Sequence, residues 1–401
     1  MVQPPQQQYC VRCVYPASAA APLAFTNEGV CTGCLVNDQK QRIDWDERRR
    51  ELHDLLEPHR SLDGATYDCI IPVSGGKDSH YQTYVIVEEF GLRPLLVTYH
   101  GNNYLPVGLR NLRNLRERFG CDHIFFSPSV PVLKKLNRLC FRTMGDMNWH
   151  AHCGIFTYPV QIAVKFRIPL IVWGEHGFTD LSGMYSLDDR IEMTAKFRLE
   201  HAQRGYDWQD MMEETEGLTE QDLLWAKYPT DVELAEVGIR GIYLGNYLNW
   251  EANAQTELMH QWGFEESPEP FERTYRRMSN LDDMHENGIH DYLKYVKFGY
   301  GRATDHACKD IRAGRMTRSE GIAMVARYDH VKPRWDLERW LDYVDMTEEE
   351  FEETADGFRD PRVWVRDEHG EWIKDSIVEF DARRAADRET AATGPLARGD
   401  L

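Results

Sequence analysis

The hexapeptide Ser74-Gly75-Gly76-Lys77-Asp78-Ser79 follows directly after the apolar run Cys69-Ile70-Ile71-Pro72-Val73. A short apolar run of this kind is typical of a buried strand. The two glycines let the backbone approach a phosphate group closely, and a helix beginning beyond them offers free N–H groups and a positive dipole end. The stretch therefore predicts a strand, a phosphate-binding loop and a helix in succession.

The polar residues of this loop suit a phosphate and its metal ion. The hydroxyls of Ser74 and Ser79 can donate hydrogen bonds, and Lys77 can balance phosphate charge. Asp78 is better suited to bind or orient Mg2+, because this ion prefers carboxylate oxygens. An ordinary glycine-rich turn capped by serine is the alternative. The residue order differs from G-x-x-x-x-G-K-[ST], so transfer of a γ-phosphate is not indicated.

Around the loop, short apolar runs alternate with helical patterns. The predicted buried strands are 68–73, 94–99, 123–126, 170–173 and 239–244. The predicted helices between them are 80–90, 107–119 and 157–166. This alternation predicts an α/β fold with a doubly wound parallel sheet, which binds ligands beyond the carboxyl ends of its strands. The loops starting at Ser74, His100, Ser127 and Gly174 are expected to gather there.

Four of the nine cysteines form two C-x-x-C pairs. They are Cys10 with Cys13 and Cys31 with Cys34, and 17 residues separate the pairs. Two such pairs can supply four thiolates to a tetrahedral zinc ion with no open coordination position, which is a structural site. Disulfides are the alternative, and a reducing cytosol argues against them.

The sequence also predicts an order of regions along the chain. We expect a zinc-binding element, a helical connector, an α/β domain with a charged insertion at 186–236, a mostly helical C-terminal region and a disordered tail. Their predicted bounds are 1–40, 41–66, 67–250, 251–380 and 381–401.

Charge and hydropathy narrow the classes of partner. The 401 residues include 47 Lys and Arg against 66 Asp and Glu, a formal net charge of −19. This charge disfavours nucleic acids and anionic membranes as main partners. The polar amino terminus lacks the apolar core of a signal peptide, and no apolar run is long enough to span a membrane. A cytoplasmic location is expected, and an oligomer is compatible with the sequence.

The hexapeptide matches the S-G-G-x-D-S hallmark of the PP-loop ATP pyrophosphatases, a HUP-like superfamily. Two further stretches are Trp173-Gly174-Glu175-His176-Gly177 and Lys297-Phe298-Gly299-Tyr300-Gly301-Arg302-Ala303-Thr304-Asp305-His306. With the cysteine quartet, they make residues 9–360 resemble the N-acetyl sugar amidotransferase family. The quartet would then form a zinc-ribbon-like element ahead of the α/β domain.

The resemblance implies a reaction and its components. Family members convert an acetamido group of a sugar, here expected to be UDP-linked, into an acetamidino group for lipopolysaccharide O-antigen or flagellar glycans. The implied cofactors are ATP, Mg2+ and structural zinc, and the implied products of ATP are AMP and pyrophosphate. Because the chain shows no glutaminase signature, the resemblance also implies a glutaminase and a cyclase-like partner that supply ammonia.

The candidate site residues fall into four groups. The catalytic candidates are Lys77, Asp78, Glu175, His176, Arg302, Asp305 and His306, with Asp78 also the Mg2+ ligand. The ATP-binding candidates are Ser74, Gly75, Gly76, Lys77, Asp78, Ser79, Thr98, Tyr99, His100 and Gly174. The substrate candidates are Asn102, Asn103, His152 and Cys153, and the zinc ligands are Cys10, Cys13, Cys31 and Cys34. A polar turn at 174–177 and a helix cap at Asp305 are the structural alternatives.

Two other functions remain open at this point. A tRNA-thiolating enzyme would share the quartet and the loop and would use a reactive thiol such as Cys140 or Cys153. Against it, the net charge and the lack of a basic stripe disfavour an RNA partner. The second alternative is a non-catalytic protein that binds adenine nucleotides, which would have no need of Lys77 and Asp78.

Overall fold

A computed structural model describes residues 2–213 and 215–393 and places a five-stranded parallel sheet at the centre. The strand order is β3-β2-β1-β4-β5. The strands are β1 (Cys69–Pro72), β2 (Pro94–Tyr99), β3 (Asp122–Phe126), β4 (Leu170–Trp173) and β5 (Arg240–Tyr243). All four pairings are parallel, and Ile70 of β1 aligns with Leu95 on one side and Ile171 on the other. The predicted α/β class and all five predicted strands are confirmed.

The described residues contain sixteen α-helices. Those that precede residue 200 are α1 (Thr32–Lys40), α2 (Trp45–Leu56), α3 (Lys77–Tyr84), α4 (Pro106–Phe119), α5 (Val130–Met144), α6 (Trp149–Phe166), α7 (Gly177–Ser182) and α8 (Ala195–Phe197). Those that follow are α9 (Asp231–Val237), α10 (Ala252–His260), α11 (Glu286–Phe298), α12 (Arg302–Arg312), α13 (Arg318–Tyr328), α14 (Arg334–Val344), α15 (Glu348–Asp356) and α16 (Ile377–Thr393). A hairpin of β6 (Trp364–Arg366) and β7 (Trp372–Lys374) precedes α16.

The sheet is covered on both faces, because successive side chains of a strand point to opposite sides. Ile71 packs with Leu52 of α2 and Leu115 of α4, whereas Ile70 packs with Val160 of α6. Burial on both faces explains why these strands appear in the sequence as continuous apolar runs.

Two predicted helices differ in extent. The helix after the glycine loop begins at Lys77 and continues as a π-helical stretch, Val85–Glu89, rather than beginning at residue 80. The helix predicted at 157–166 begins eight residues earlier, at Trp149, and contains Pro159. Its first turns are buried because Trp149 and Cys153 pack against Trp225 of the charged insertion.

The charged insertion at 186–236 is an ordered part of this packing. It contains short helical segments at Trp208–Met211 and Glu220–Ala226, from which Met211 and Leu223 join the cluster of buried side chains beneath α5 and α6. The insertion thus supports the side of the sheet on which β2 ends.

The N-terminal element and the C-terminal helices share one apolar core. Tyr15 packs with Tyr300 and with Ala307 of α12, and the Arg318 guanidinium donates to the carbonyls of Cys10 and Cys13. The N-terminal element therefore packs against the far end of the chain.

The expected disordered tail is wrong for residues 381–393, where helix α16 continues to Thr393. Ile377 and Phe380 pack into the core around the cysteine quartet, which holds the start of this helix. Residues 394–401 lie outside the described residues. Across the described part of the chain, the helices are too short or too polar to cross a membrane.

Candidate active site

The glycine loop leaves β1 at the switch point of the sheet, where β1 has β2 on one side and β4 on the other. The Ser74 backbone N–H donates to the Ser79 hydroxyl at 2.8 Å, which closes the loop over the start of α3. Gly75 has a φ of +79°, and a Cβ there would lie 2.9 Å from the Gly108 carbonyl. Glycine is therefore required at this position by both conformation and space.

Lys77 and Asp78 begin α3 and form an ion pair. The Lys77 side chain is largely buried, while Asp78 stays half exposed toward the cleft. The Trp250 indole N–H donates to Asp78 Oδ1 at 3.2 Å, so the carboxylate is held in place before any ion binds. The pair provides one fixed cation and one accessible carboxylate at a helix N-terminus.

A cleft of about 240 Å3 opens above this loop, and we call it the loop cleft. Its polar lining includes Ser74, Asp78, Ser79, Gly174 and Glu175. Its apolar lining is formed by Pro72, Val73, Val97, Ile155, Pro159 and Trp173. An apolar slot beside a glycine loop at a helix N-terminus suits the flat base and the charged tail of a nucleotide.

The three candidates at the end of β2 lie in different surroundings. Tyr99 lines the loop cleft. The Thr98 hydroxyl is buried and donates to the Val73 carbonyl at 2.7 Å. His100 stacks on Tyr104 and accepts a hydrogen bond from the Asn102 backbone N–H at 3.1 Å. Thr98 and His100 thus hold the loops in place, whereas Tyr99 faces the cavity.

Glu175 lies at the edge of the loop cleft and belongs to a partly buried network of charges. Lys309 of α12 bridges the Glu175 carboxylate at 2.8 Å and the Asp180 carboxylate at 2.7 Å, and Lys40 of α1 also binds Asp180. Burial and the neighbouring Asp180 raise the pKa of Glu175. Burial alone would raise the pKa of Asp180, but Lys309 and Lys40 hold it well below its ordinary value. The network ties the cleft to α1 and α12.

His176 caps helix α7. Its Nδ1 accepts from the Thr179 backbone N–H at 3.2 Å, and its ring lies among Tyr185, Phe197 and Tyr243. Burial lowers the pKa of His176 to about 4, so the ring is neutral. The structure places it behind Glu175, outside the lining of the loop cleft.

A second cavity of about 220 Å3 adjoins the loop cleft, and we call it the polar pocket. Tyr99, Ile155 and Asp282 line both cavities. The remaining lining is mostly polar: Asn103, Asn148, His150, His152, Asn280, Asp283, Glu286, Asn287, His290 and Arg302. Two ligands bound in these cavities would meet at the three shared residues.

The four substrate candidates divide between this pocket and its surroundings. Asn103 and His152 line the polar pocket. Asn102 instead donates to the Pro128 carbonyl at 2.7 Å, and the Cys153 thiol is buried against Thr157 and the Ala226 carbonyl. Asn102 and Cys153 are therefore tied to the protein rather than facing the pocket.

Helix α12 brings two of its candidates together. Arg302 lines the polar pocket, and its Nε donates to Asp291 at 2.8 Å. Burial alone would raise the pKa of Asp305, but Lys294 and Arg302 hold it below its ordinary value. The Tyr15 hydroxyl donates a hydrogen bond to this carboxylate at 2.8 Å. The pocket is thereby connected to the N-terminal element.

The third candidate on this helix, His306, lies deeper. Its Nδ1 is 2.6 Å from the Thr274 hydroxyl, and burial together with Arg276 and Arg302 holds its pKa well below the ordinary value. His306 is thus neutral and engaged away from both cavities.

Asp282 was missed by sequence reasoning, although it is the one residue after 251 among those that line the loop cleft. Burial raises the pKa of this carboxyl. It lies in a stretch without helix or strand between His260 and Glu286. Long irregular stretches inside compact domains often carry function, and this was the available signal.

The four cysteines of the two C-x-x-C pairs form a compact, buried cluster. The sulfur of Cys10 is 3.9 Å from that of Cys34, and the sulfur of Cys13 is 3.6 Å from that of Cys31. All four sulfurs lie within 4.8 Å of one another. Zinc–sulfur bonds of about 2.3 Å place the thiolates of a tetrahedral site about 3.8 Å apart, so the cluster fits zinc.

Arg312 links this cluster to helix α7. Its guanidinium lies 3.5 Å from the Cys31 sulfur and donates to the carbonyls of Asp180 and Leu181 in α7. A buried cation beside four thiolates offsets part of their negative charge.

The two cysteines considered for sulfur transfer are both buried. Burial raises the pKa of Cys153 to about 12 and that of Cys140 well above its ordinary value. The Cys140 thiol packs against the Met211 sulfur. Neither thiol is in the form of a reactive thiolate.

Comparisons with known proteins match parts of the chain. Residues 271–377 match the family described as LPS biosynthesis protein WbpG-like, C-terminal domain. The uncharacterized protein MJ1599 of Methanocaldococcus jannaschii is 25% identical over 113 residues, which are 28% of this chain and 40% of that protein. The chain thus matches less than half of this relative.

One solved structure with similarity to the chain is the NMN synthetase of Francisella tularensis. It is 14% identical, with coverage of 57% of this chain and 99% of that one, at a TM-score of 0.28. A score this low carries no argument about function. The WbpG-like match covers the region that supplies Asp282, Arg302 and most of the polar pocket's far wall.

Proposed function

We propose that this protein is an ATP-dependent sugar amidotransferase that forms AMP and pyrophosphate. It adenylates the acetamido oxygen of an N-acetyl sugar, and ammonia then displaces AMP to give an acetamidino sugar. The description of the matched C-terminal family supports a role in lipopolysaccharide biosynthesis.

One observation carries the proposal: a loop cleft suited to a nucleotide adjoins a polar pocket suited to a second ligand. The two cavities share Tyr99, Ile155 and Asp282. A nucleotide whose phosphates lie on the glycine loop would place its reactive phosphorus near this junction. Such an arrangement favours joining two substrates over merely sensing a nucleotide.

In the first step, the amide oxygen of the sugar attacks the α-phosphorus and the bond to pyrophosphate breaks. The loop N–H groups and Lys77 would stabilise the negative charge that moves onto pyrophosphate. Asp78 would hold Mg2+, which supplies further charge neutralisation when bound. The product is an O-adenylyl imidate that keeps the amide proton on its nitrogen, and in it a poor leaving group has become a good one.

In the second step, ammonia adds to the imidate carbon and the carbon–oxygen bond to AMP breaks. The nitrogen that adds must lose one proton before the amidinium product forms. Asp282 is a carboxylate at the junction of the two cavities, and its surroundings favour taking up a proton. We assign it as the proton acceptor of this step.

The ammonia is proposed to come from a partner glutaminase through a cyclase-like subunit, as the family resemblance implies. A direct check is to compare glutamine with ammonium salts as nitrogen donors for the isolated chain. Equal use of both would contradict the need for a partner.

Sulfur transfer to tRNA finds no support at the site. The buried thiols of Cys140 and Cys153 are protonated, and the net charge of −19 opposes RNA binding. Adenylation without sulfur transfer agrees better with the carboxylates and amides that line the two cavities.

The deciding experiment is turnover with ATP, Mg2+, ammonium and a panel of UDP-linked acetamido sugars. AMP and pyrophosphate should form together, and mass spectrometry should show a sugar in which NH has replaced the amide oxygen. RNA-stimulated turnover would favour thiolation, and ATP binding without any turnover would favour a nucleotide-binding protein.

A further inference from the structure

We infer that the polar pocket binds the ring of the acceptor sugar. Its amide side chains would form hydrogen bonds with the ring hydroxyls, and the part of the ligand inside the pocket would carry no charge. This inference rests on the proposed function. It adds the place of the sugar and the property by which the sugar is recognised.

The position of the pocket favours an acceptor over a second part of ATP. It lies behind Tyr99, and the Tyr99 hydroxyl donates to His150 Nδ1 at 3.1 Å, while His150 Nε2 donates to Glu286 at 2.7 Å. Tyr99, His150 and Glu286 thus form a fixed wall of the pocket, and Tyr99 also lines the loop cleft. A ring held behind the wall could extend a substituent past Ile155 and Asp282 toward the glycine loop.

Two buried amide atoms of the lining have no hydrogen-bond partner among the described residues. They are Oδ1 of Asn148, a residue that is 3% exposed, and Nδ2 of Asn280. Buried polar groups are nearly always paired, so an unpaired acceptor and an unpaired donor on one cavity indicate a hydrogen-bonding ligand. A hydroxyl can serve both, because it donates and accepts.

The amides are held ready by a carboxylate. Asp283 accepts from the Asn103 side chain at 2.7 Å and from the Asn287 backbone N–H at 3.1 Å. Asn148 in turn donates to the Asn287 side chain at 3.3 Å. The lining is thus ordered before a ligand enters, which lowers the cost of binding.

Arg302 and His290, the groups of the lining that could attract an anion, already face carboxylates of the protein, which disfavours an anionic ligand. Arg302 is bound by Asp291, and His290 lies 2.8 Å from Asp146. Burial lowers the pKa of His152 to about 3, so the His152 ring is neutral. A sugar ring therefore suits the pocket better than a phosphate, and the diphosphate of a nucleotide-linked sugar would lie outside it.

The test uses the full chain with UDP-N-acetylglucosamine as the probe and a substitution that fills the pocket. Ala151 lines the polar pocket and not the loop cleft, so Ala151→Trp should block sugar entry and leave the ATP site intact. Ala235→Trp on the exposed face of α9 is the matched control. The measurements are ATP affinity, sugar affinity and sugar-dependent AMP formation, with circular dichroism as the check on folding.

We expect Ala151→Trp to weaken sugar binding and AMP formation by at least about tenfold, with ATP affinity unchanged. The double variant Asn148→Ala with Asn280→Ala provides a second measurement without added bulk, and it should raise the KM for the sugar more than it lowers kcat. If the probe binds the wild type and all variants equally, the pocket assignment is overturned while the proposed function stands. If the wild type binds ATP but neither binds nor converts any acetamido sugar, the proposed function fails and this inference fails with it.

Discussion

The loop cleft takes most of its polar lining from the two segments that follow β1 and β4, whereas the polar lining of the polar pocket comes from four separate stretches of chain. The first is a local motif: six consecutive residues place backbone N–H groups, a lysine and a carboxylate at one point. The second exists only after α6, α11, α12 and the irregular stretch before residue 286 have packed together. Activation chemistry is thus encoded locally, and acceptor recognition is encoded by tertiary structure.

Removing the metal from the cysteine quartet should have the largest effect, because the quartet shares its core with α12 and is joined to α7 by Arg312. Zinc contributes about 10 to 16 kcal/mol to the folding of isolated zinc-finger peptides, so a chelator should unfold the quartet's surroundings. We expect the exchange of backbone amide hydrogens to accelerate first over residues 9–40 and then in α7, which Arg312 joins to the cluster. An unchanged N-terminal exchange pattern in metal-free protein would contradict the zinc assignment.

Asp78→Asn changes a residue that lines the loop cleft and not the polar pocket. It removes the charge that would hold Mg2+ but keeps the shape of the side chain, so AMP formation should fall at least about a hundredfold. Zinc content, measured by atomic absorption, should not change. Asp231→Asn on the exposed start of α9 is the matched control, and full turnover by Asp78→Asn would overturn the assignment of the loop.

Asp282→Asn tests the boundary between the two regions. Loss of a proton acceptor typically costs about 100-fold or more, so kcat with ammonium should fall by at least about that factor. The KM values for ATP and sugar should stay close to those of the wild type. A raised sugar KM with unchanged kcat would instead make Asp282 a binding residue.

Tyr15→Phe should have the smallest effect, and it tests whether the polar pocket and the loop cleft act independently. It deletes the hydrogen bond to the Asp305 carboxylate, and we expect the free energy of unfolding in denaturant to fall by about 2 kcal/mol. Tyr343→Phe is the control, since that hydroxyl has no partner in the described part of the structure. A loss of ATP affinity in Tyr15→Phe would show that the two cavities are not independent.

The fold could be read from the sequence because its strands are buried on both faces. All five runs, including Leu170 to Trp173, lie within two residues of the observed strands. The start of α6 was placed eight residues late because its first turns are stabilised by packing against the insertion rather than by local propensity. Helix α16 was missed for the same reason, since Phe380 packs against residues near the other end of the chain.

The residues of the candidate site also divide into those that local sequence predicts and those that only tertiary packing brings together. Lys77, Asp78 and the four cysteines follow from fixed spacings, and the structure places each group where its spacing requires. No spacing connects Asn148, Asn280 and Asp282, because they come together only through tertiary contacts. His176 illustrates the opposite error, since a residue in a distinctive motif serves as a helix cap.

The Arg312 bridge has a thermodynamic consequence. Its guanidinium touches a thiol of the quartet on one side and the carbonyls of Asp180 and Leu181, near the end of α7, on the other. Coupling between two sites is reciprocal, so if metal binding orders α7 for the nucleotide, nucleotide binding must tighten metal retention by the same factor. The protein would then release its zinc most slowly while it is saturated with substrate.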